Sequence, residues 1–189
     1  MDAWVTFFQE FLRHPRQVAS VVPSSRFLER RIVEAAGVHS ARTVVELGPG
    51  TGGTTRAILR AIGPDARLLT IELNPHLYTL VSRIEDRRLV SHLGDARALK
   101  EIILTHALGP PDAVISGIPF STIGPQTGRQ ILEAIHSVLA PGGRFVAYQV
   151  KRQVATLSRL FPEPDDAELE LFNIPPLRIF RWEKDGVRL

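Results

Sequence analysis

Three acids and a run of glycines are spaced as a small-molecule site would need them. Glu46 precedes Gly48, Gly50, Gly52 and Gly53 in the stretch VVELGPGTGG (44–53), and Thr51 adds a hydroxyl to the same turn. Glycine adopts positive φ and has no Cβ, so a ligand can lie against the main chain there. Glu72 follows Gly50 by 22 residues (72 − 50) in IELN (71–74), with Leu73 beside it. Asp95 and Ala96 stand in GDA (94–96), where Asp95 could accept from an adenine amine. Gly48, Gly50 and Gly53 fit the G-x-G-x-x-G dinucleotide fingerprint, with Glu72 near the place of the ribose acid. Glu46 argues otherwise: a carboxylate two residues before the glycines would repel a pyrophosphate and suits a ligand carrying positive charge. A strand-to-helix turn that holds nothing is the third reading of the same residues.

A second cluster is SGIPF, Ser116 to Phe120. Pro119 has no N–H, Phe120 offers an aromatic wall, and the carbonyls of Gly117 and Ile118 can accept from an amine. Tyr148, near the end of a later strand, is a candidate to bind or orient that amine; a half-buried strand aromatic is its other reading. Phe120 and Tyr148 could also face a methylated ammonium, since aromatic faces attract such cations by roughly 0.5–2 kcal/mol. The six histidines (His14, His39, His76, His92, His106 and His136) are scattered without ligand spacing, and cysteine is absent, so no metal site is expected. His92 reads as a structural histidine on its strand.

These residues need a scaffold, and the pattern supplies one. Short β-rich runs at 43–47, 67–73, 88–94, 112–118 and 144–150 alternate with helical patterns at 53–62, 75–85, 96–107 and 125–139. Such alternation predicts βαβ units and a mostly parallel sheet with helices on both faces. The stretch 167–182 reads as two further strands around Pro175 and Pro176. Residues before 40 are helical and lie outside the alternation. In an open sheet of this kind the ligand sits at the carboxyl ends of the strands, where the glycines, Glu72, Asp95 and SGIPF all fall.

The chain has 189 residues, 44% hydrophobic and 23% charged, which suits one globular domain. With 23 basic against 20 acidic residues the net charge is +3, too even to indicate nucleic acid. No apolar run reaches the ~18 residues of a membrane span, and the first residues do not have the charge order of a secretory leader.

In order and position, VVELGPGTGG, IELN, GDA, SGIPF and LAPGGRFV resemble the motifs of class I S-adenosylmethionine-dependent methyltransferases, over roughly residues 40–182. The resemblance implies an α/β, Rossmann-like fold with a mostly parallel seven-stranded sheet, and S-adenosyl-L-methionine as cofactor. It places Glu46, Gly48, Gly50, Thr51 and Gly52 at the methionine end, Glu72 and Leu73 at the ribose, and Asp95 and Ala96 at the adenine, with Ser116 completing the set. The chain is also similar to the ribosomal RNA adenine dimethylases, but Gly117 stands where their N-x-P-[FY] motif has an asparagine acceptor.

FLRHPRQVASVVPSSRFL (11–28), taken with the glycine turn and SGIPF, looks like the bacterial phospholipid N-methyltransferases. That resemblance implies phosphatidylethanolamine as substrate, phosphatidylcholine as the eventual product, and an anionic or zwitterionic phospholipid surface as partner. It implies a cytoplasmic protein attached peripherally to the inner face of the cytoplasmic membrane. Trp4, Phe7, Phe8, Phe11 and Leu12 fall on one helical face, followed by Arg13, His14 and Arg16 and then Arg26, Arg30 and Arg31. Such a helix can lie in a bilayer interface, or pack ordinarily on the domain. Ser24 and Ser25 either cap the next helix or bind the lipid phosphate. The expected organisation is an N-terminal helical segment over 1–39 and a methyltransferase domain over 40–189. Methylation of RNA or of a soluble amine is one alternative; nucleotide binding without catalysis is another.

Overall fold

The computed structural model describes residues 26–149, 160–161, 164, 166–170 and 177–185. The aromatic and basic positions Trp4 to Arg16, together with Ser24 and Ser25, lie outside the described residues.

The order of elements is α1 (Arg26–Ala36), β1 (Thr43–Leu47), α2 (Gly53–Ala61), β2 (Arg67–Glu72), α3 (Pro75–Ser82), β3 (Leu89–Leu93), α4 (Leu99–Thr105), β4 (Ala113–Ser116), α5 (Pro125–Val138), β5 (Arg144–Gln149), β6 (Asp166–Glu170) and β7 (Leu177–Glu183). The strands form one sheet in the order β3-β2-β1-β4-β5-β7-β6. β1 to β5 are parallel, and β7 runs antiparallel to both β5 and β6. Strand order reverses between β1 and β4, the crevice where an open α/β sheet binds its ligand. This is the Rossmann-like architecture expected from the alternation of patterns.

The sheet is buried on both faces, which is why its central strands are mostly apolar, with Glu46 and Thr70 as buried exceptions. Val45, Leu47, Leu69, Val114 and Phe145 point to one face and pack with Leu99, Ile102, Ile131 and Ile135 of α4 and α5. Their neighbours Val44, Leu68, Ile115 and Val146 point to the other face and pack with α1 and α2. On the first face, Phe145 stacks on Trp182 of β7 with centroids 5.1 Å apart and planes at 15°.

α1 is part of this packing. Leu28, Ile32, Val33 and Ala36 share a cluster with Val44, Ile58, Ile115 and Val146. The boundary expected at residue 40 therefore falls inside a packed unit. Its helical periodicity does the work: one apolar face meets the sheet and Arg30 and Glu34 pair on the other at 2.7 Å.

Elements are shorter than their patterns. β4 ends at Ser116, because Gly117 turns away and Pro119 has no donor for a ladder. The helix expected over 96–107 begins as a 3-10 turn over Ala96–Ala98 and becomes α4 only at Leu99. It ends before Ala107, which adopts φ 51°. α3 begins cleanly because Asn74 accepts from the amides of His76 and Leu77 and Pro75 occupies the first turn. Asp112 aligns the start of the sheet: its Oδ2 accepts from the amides of Arg42 and Thr43 at 2.7 and 3.0 Å. No helix of the described residues is long and apolar enough to cross a membrane.

Candidate cofactor and acceptor site

The glycine turn leaves β1 and enters α2. Gly48, Gly50 and Gly52 have φ of 69°, 58° and 83°, a region side chains rarely adopt. At Gly50 a Cβ would meet none of the described residues within 4 Å, so this stretch of main chain lies bare among them. At Gly48 a Cβ would press on Ile118, so this glycine lets the β4 loop close over the turn. The Gly48 amide donates to Ile71 O at 2.9 Å, fastening the turn to β2.

Glu72, at the tip of β2, is the hinge of the turn. One carboxylate oxygen accepts from the Gly50 amide at 3.3 Å and the other from the Asn74 amide at 2.9 Å. Burial pushes its carboxyl up, while the amides of Asn74, Gly50 and Leu73 pull it back.

Glu46 is fully buried, on the α2 face of the sheet. Its Oε2 accepts from Thr55 Oγ1 at 2.6 Å, and its Oε1 has no hydrogen-bond partner. Burial raises its carboxyl to about 8, with the Thr55 hydroxyl lowering it and Glu72 nearby adding to the rise. A buried carboxylate oxygen without a partner costs free energy, and a cation offsets that cost. The glycine turn, the bare main chain at Gly50 and this oxygen fit S-adenosylmethionine, whose methionine ammonium Glu46 would hold and whose ribose hydroxyls Glu72 would hold. The same oxygen is a poor partner for a pyrophosphate, which disfavours the dinucleotide reading.

Asp95 starts the 3-10 turn after β3. Its Oδ1 accepts from the Arg97 amide at 2.8 Å, and its Oδ2 pairs with the Arg97 guanidinium at 2.9 and 2.7 Å. The residue is thus a cap and an ion-pair partner as well as a strand-tip acid. Ala96 beside it is buried in the core, and Leu73 and Thr51 sit at the mouth, half-buried and exposed respectively.

The loop after β4 is fastened from three sides. The Gly117 amide donates to Leu47 O at 2.9 Å. Ser116 Oγ accepts from the Ile118 amide at 3.3 Å, so this buried hydroxyl shapes the loop from beneath. Gln149 Nε2 donates to the Ile118 carbonyl at 2.9 Å. A Cβ on residue 117 would collide with the Tyr148 hydroxyl and come within 2.8 Å of Gly48 O. Tyr148 is half-buried, with its hydroxyl bonded to Thr54; burial, Glu46 and Glu72 push that hydroxyl well above its usual range.

Phe120 corrects an expectation. Its ring is 2% exposed and packs with Ile118, Ile123 and Ile131 in the α5-side core. It supports the loop from below and presents no face to an incoming ammonium, because the loop turns the side chain after Pro119 inward. Three residues of the site carry no motif: Thr54 and Thr55, in the first turn of α2, and Gln149, which faces the side of β5 opposite Tyr148. A polar pair directly after a glycine turn, and an amide ending an apolar strand, were the available signals.

His92 Nδ1 lies 3.0 Å from His106 Nε2, which fits a structural pair. Among the described residues no group of acids and histidines could hold a metal.

Residues 44–143, more than half of the chain, match the methyltransferase domain family. The chain is 33% identical over 147 residues to an ornithine lipid N-methyltransferase from Singulisphaera acidiphila, covering 77% of each protein. It is 28% identical over 153 residues to ribosomal RNA small subunit methyltransferase A of Nocardia farcinica, spanning 79% of this chain and 47% of that one. In fold it resembles N-methyltransferase NodS from Bradyrhizobium japonicum, solved with S-adenosyl-L-homocysteine: TM-score 0.69, 12% identity, 94% of this chain and 98% of the other.

Proposed function

Since this chain belongs to the methyltransferase domain family and is an S-adenosylmethionine-dependent methyltransferase, we propose that it methylates the amine of a membrane-lipid headgroup. Phosphatidylethanolamine and its partly methylated forms are the proposed acceptors, leading towards phosphatidylcholine. The observation that carries the reading is the loop after β4. Residue 117 has no space for a side chain, so the asparagine acceptor of an adenine methylase has no place there. What remains is an edge of main-chain carbonyls, which suits a small aliphatic amine. A headgroup with an ornithine amine is a second reading, favoured by the Singulisphaera relative. Work at the inner surface of the cytoplasmic membrane belongs to the same proposal, supported by the aromatic and basic pattern of residues 4–16.

Bound S-adenosylmethionine supplies an electrophilic methyl carbon. Glu46 Oε1 would accept from the ammonium of its methionine end, and Glu72 would take the ribose hydroxyls. The Gly117 and Ile118 carbonyls hold the acceptor nitrogen against the turn. The buried side chains of Ile118, Phe120 and Ile123 keep water from beneath that nitrogen. The Tyr148 hydroxyl is held in its neutral form by its surroundings, so it orients the amine rather than taking its proton. Positioning of this kind supplies on the order of 7–11 kcal/mol in favourable cases.

The test is transfer of labelled methyl groups to four acceptors: phosphatidylethanolamine vesicles, ornithine-lipid vesicles, ribosomal RNA and free ethanolamine. The proposal expects label in the phospholipid; label in ornithine lipid alone selects the second reading, and label confined to RNA or free ethanolamine rejects both.

A further inference from the structure

Gln149 ends β5, adjacent to the β4 tip, and is 4% exposed. Its amide nitrogen donates to the Ile118 carbonyl at 2.9 Å, which fixes the orientation of the amide. Its Oε1 is buried with no hydrogen-bond partner. Buried polar groups in folded proteins are nearly always paired, and leaving one unpaired costs about 1–3 kcal/mol. Among the described residues the other such carboxyl or amide oxygen, Glu46 Oε1, has a cationic partner in the reading above. Gln149 Oε1 has none assigned.

We infer that Gln149 supplies the side-chain acceptor that Gly117 cannot, so that the Ile118 carbonyl and Gln149 Oε1 together receive the two N–H groups of a neutral primary amine. The inference rests on the reading of the protein as a lipid amine methyltransferase. The reach is sufficient. The two ends of an amide are about 2.2 Å apart, so Oε1 lies no further from the Ile118 oxygen than that length added to the 2.9 Å bond. One nitrogen can stand at hydrogen-bond distance, about 2.9 Å, from two acceptors so separated. The carbonyl has two lone pairs and accepts from Gln149 and from the amine at once. With both N–H groups held, the nitrogen lone pair is left as the free direction.

This arrangement makes a prediction that a structural role does not. A neutral primary amine has two N–H groups, a monomethylated one has one, and a dimethylated one has none. Gln149 therefore assists the first transfer most and the third not at all. Replacing it with Met keeps its length and removes both polar ends.

The experiment measures kcat and KM for the wild type and Gln149→Met on vesicles of phosphatidylethanolamine and of its monomethyl and dimethyl forms. Thermal melting and cofactor titration on the same preparations establish the folded state. Loss of one hydrogen bond is worth about tenfold, so the first transfer is expected to fall about tenfold and the third to stay within about twofold. An equal loss at all three steps, or no loss, overturns the inference. If the methionine variant does not fold, Gln149→Ala carries the test, since it also removes the acceptor. The first transfer is then expected to fall more than the third, and an equal fall overturns the assignment. A wild type that labels none of the three lipids rejects the phosphatidylethanolamine reading, a result distinct from a wild type whose variant loses all steps alike.

Discussion

The hydroxyl of Tyr148 occupies the space that a side chain at Gly117 would require. Through this contact the end of β5 dictates what the loop after β4 can carry. The hydroxyl is itself fixed by Thr54 at the start of α2, so three elements meet at the acceptor edge.

Gly117→Ala is accordingly expected to destabilise by about 1–3 kcal/mol through overpacking, lowering Tm by about 2–4 °C per kcal/mol. Tyr148→Phe removes the closest of the three obstructions; Gly48 O at 2.8 Å and the ring Cζ at 3.0 Å remain near the new Cβ. The double variant is expected to be more stable than the sum of the single losses by at least ~0.5 kcal/mol. Strict additivity in calorimetric melts would show that the two residues do not press on each other.

The Glu46 carboxyl titrates near 8 in the fold against an ordinary value of 4.5. The folded state thus holds a proton that the unfolded state releases. That contribution is complete below about 4.5 and is lost as pH rises through about 8. The cofactor-free protein should therefore lose stability between those values, and Glu46→Gln should flatten the slope. Urea midpoints at several pH values check this; a wild-type curve flat or rising across the window contradicts it.

Cofactor binding should show the opposite trend, because an ammonium favours ionised Glu46. Affinity is expected to rise with pH up to about 8, by at most tenfold per unit, with proton release visible in titration calorimetry across buffers of different ionisation heat. Thr55→Val removes the donor to Oε2 and should move that rise to higher pH. An affinity independent of pH in both proteins would detach Glu46 from the ammonium.

Asp95 has two separable roles. Asp95→Ala should cost about 1 kcal/mol of stability through its lost cap and also loosen the cofactor. Asp95→Ser keeps a cap and withdraws the acceptor from the adenine amine. If the carboxylate contacts that amine, Ser restores stability while cofactor affinity stays reduced. Full recovery of both would leave Asp95 as a cap only.

For membrane attachment, replacing Phe7, Phe8 and Phe11 with Ser should reduce co-sedimentation with anionic vesicles several-fold while melting temperature stays unchanged. Undiminished sedimentation would remove that segment from the lipid proposal.

Much of this was legible before folding was considered. The five β-rich runs became β1 to β5 because short, largely apolar segments bounded by turns suit strands in a covered sheet, even though β3 is only half-buried and β1 carries Glu46. The acids at 46 and 72 were legible because their distance from the glycines is set within one βαβ unit. Gln149 and Thr55 were not, since their importance comes from partners on neighbouring elements: the Ile118 carbonyl across the sheet and the Glu46 carboxylate under α2. Phe120 was misread for the same reason. Its type fitted an aromatic rim, but the turn at Pro119 directs it into the core. The helix over 96–107 is broken because Asp95 favours a tight turn before α4 can begin.

α1 packs against β4, β5, β7 and α2, and Glu29 reaches Gly53 at the glycine turn. Arg26, one turn earlier on α1, therefore lies on the glycine-turn side of the sheet. β7 runs the other way along β5, and the Lys184 amide bonds Gly143 O at the far side of the sheet. A bulky label attached at position 26 would crowd the mouth through which acceptors arrive. One attached at position 185 would sit at the opposite pole and leave turnover undisturbed.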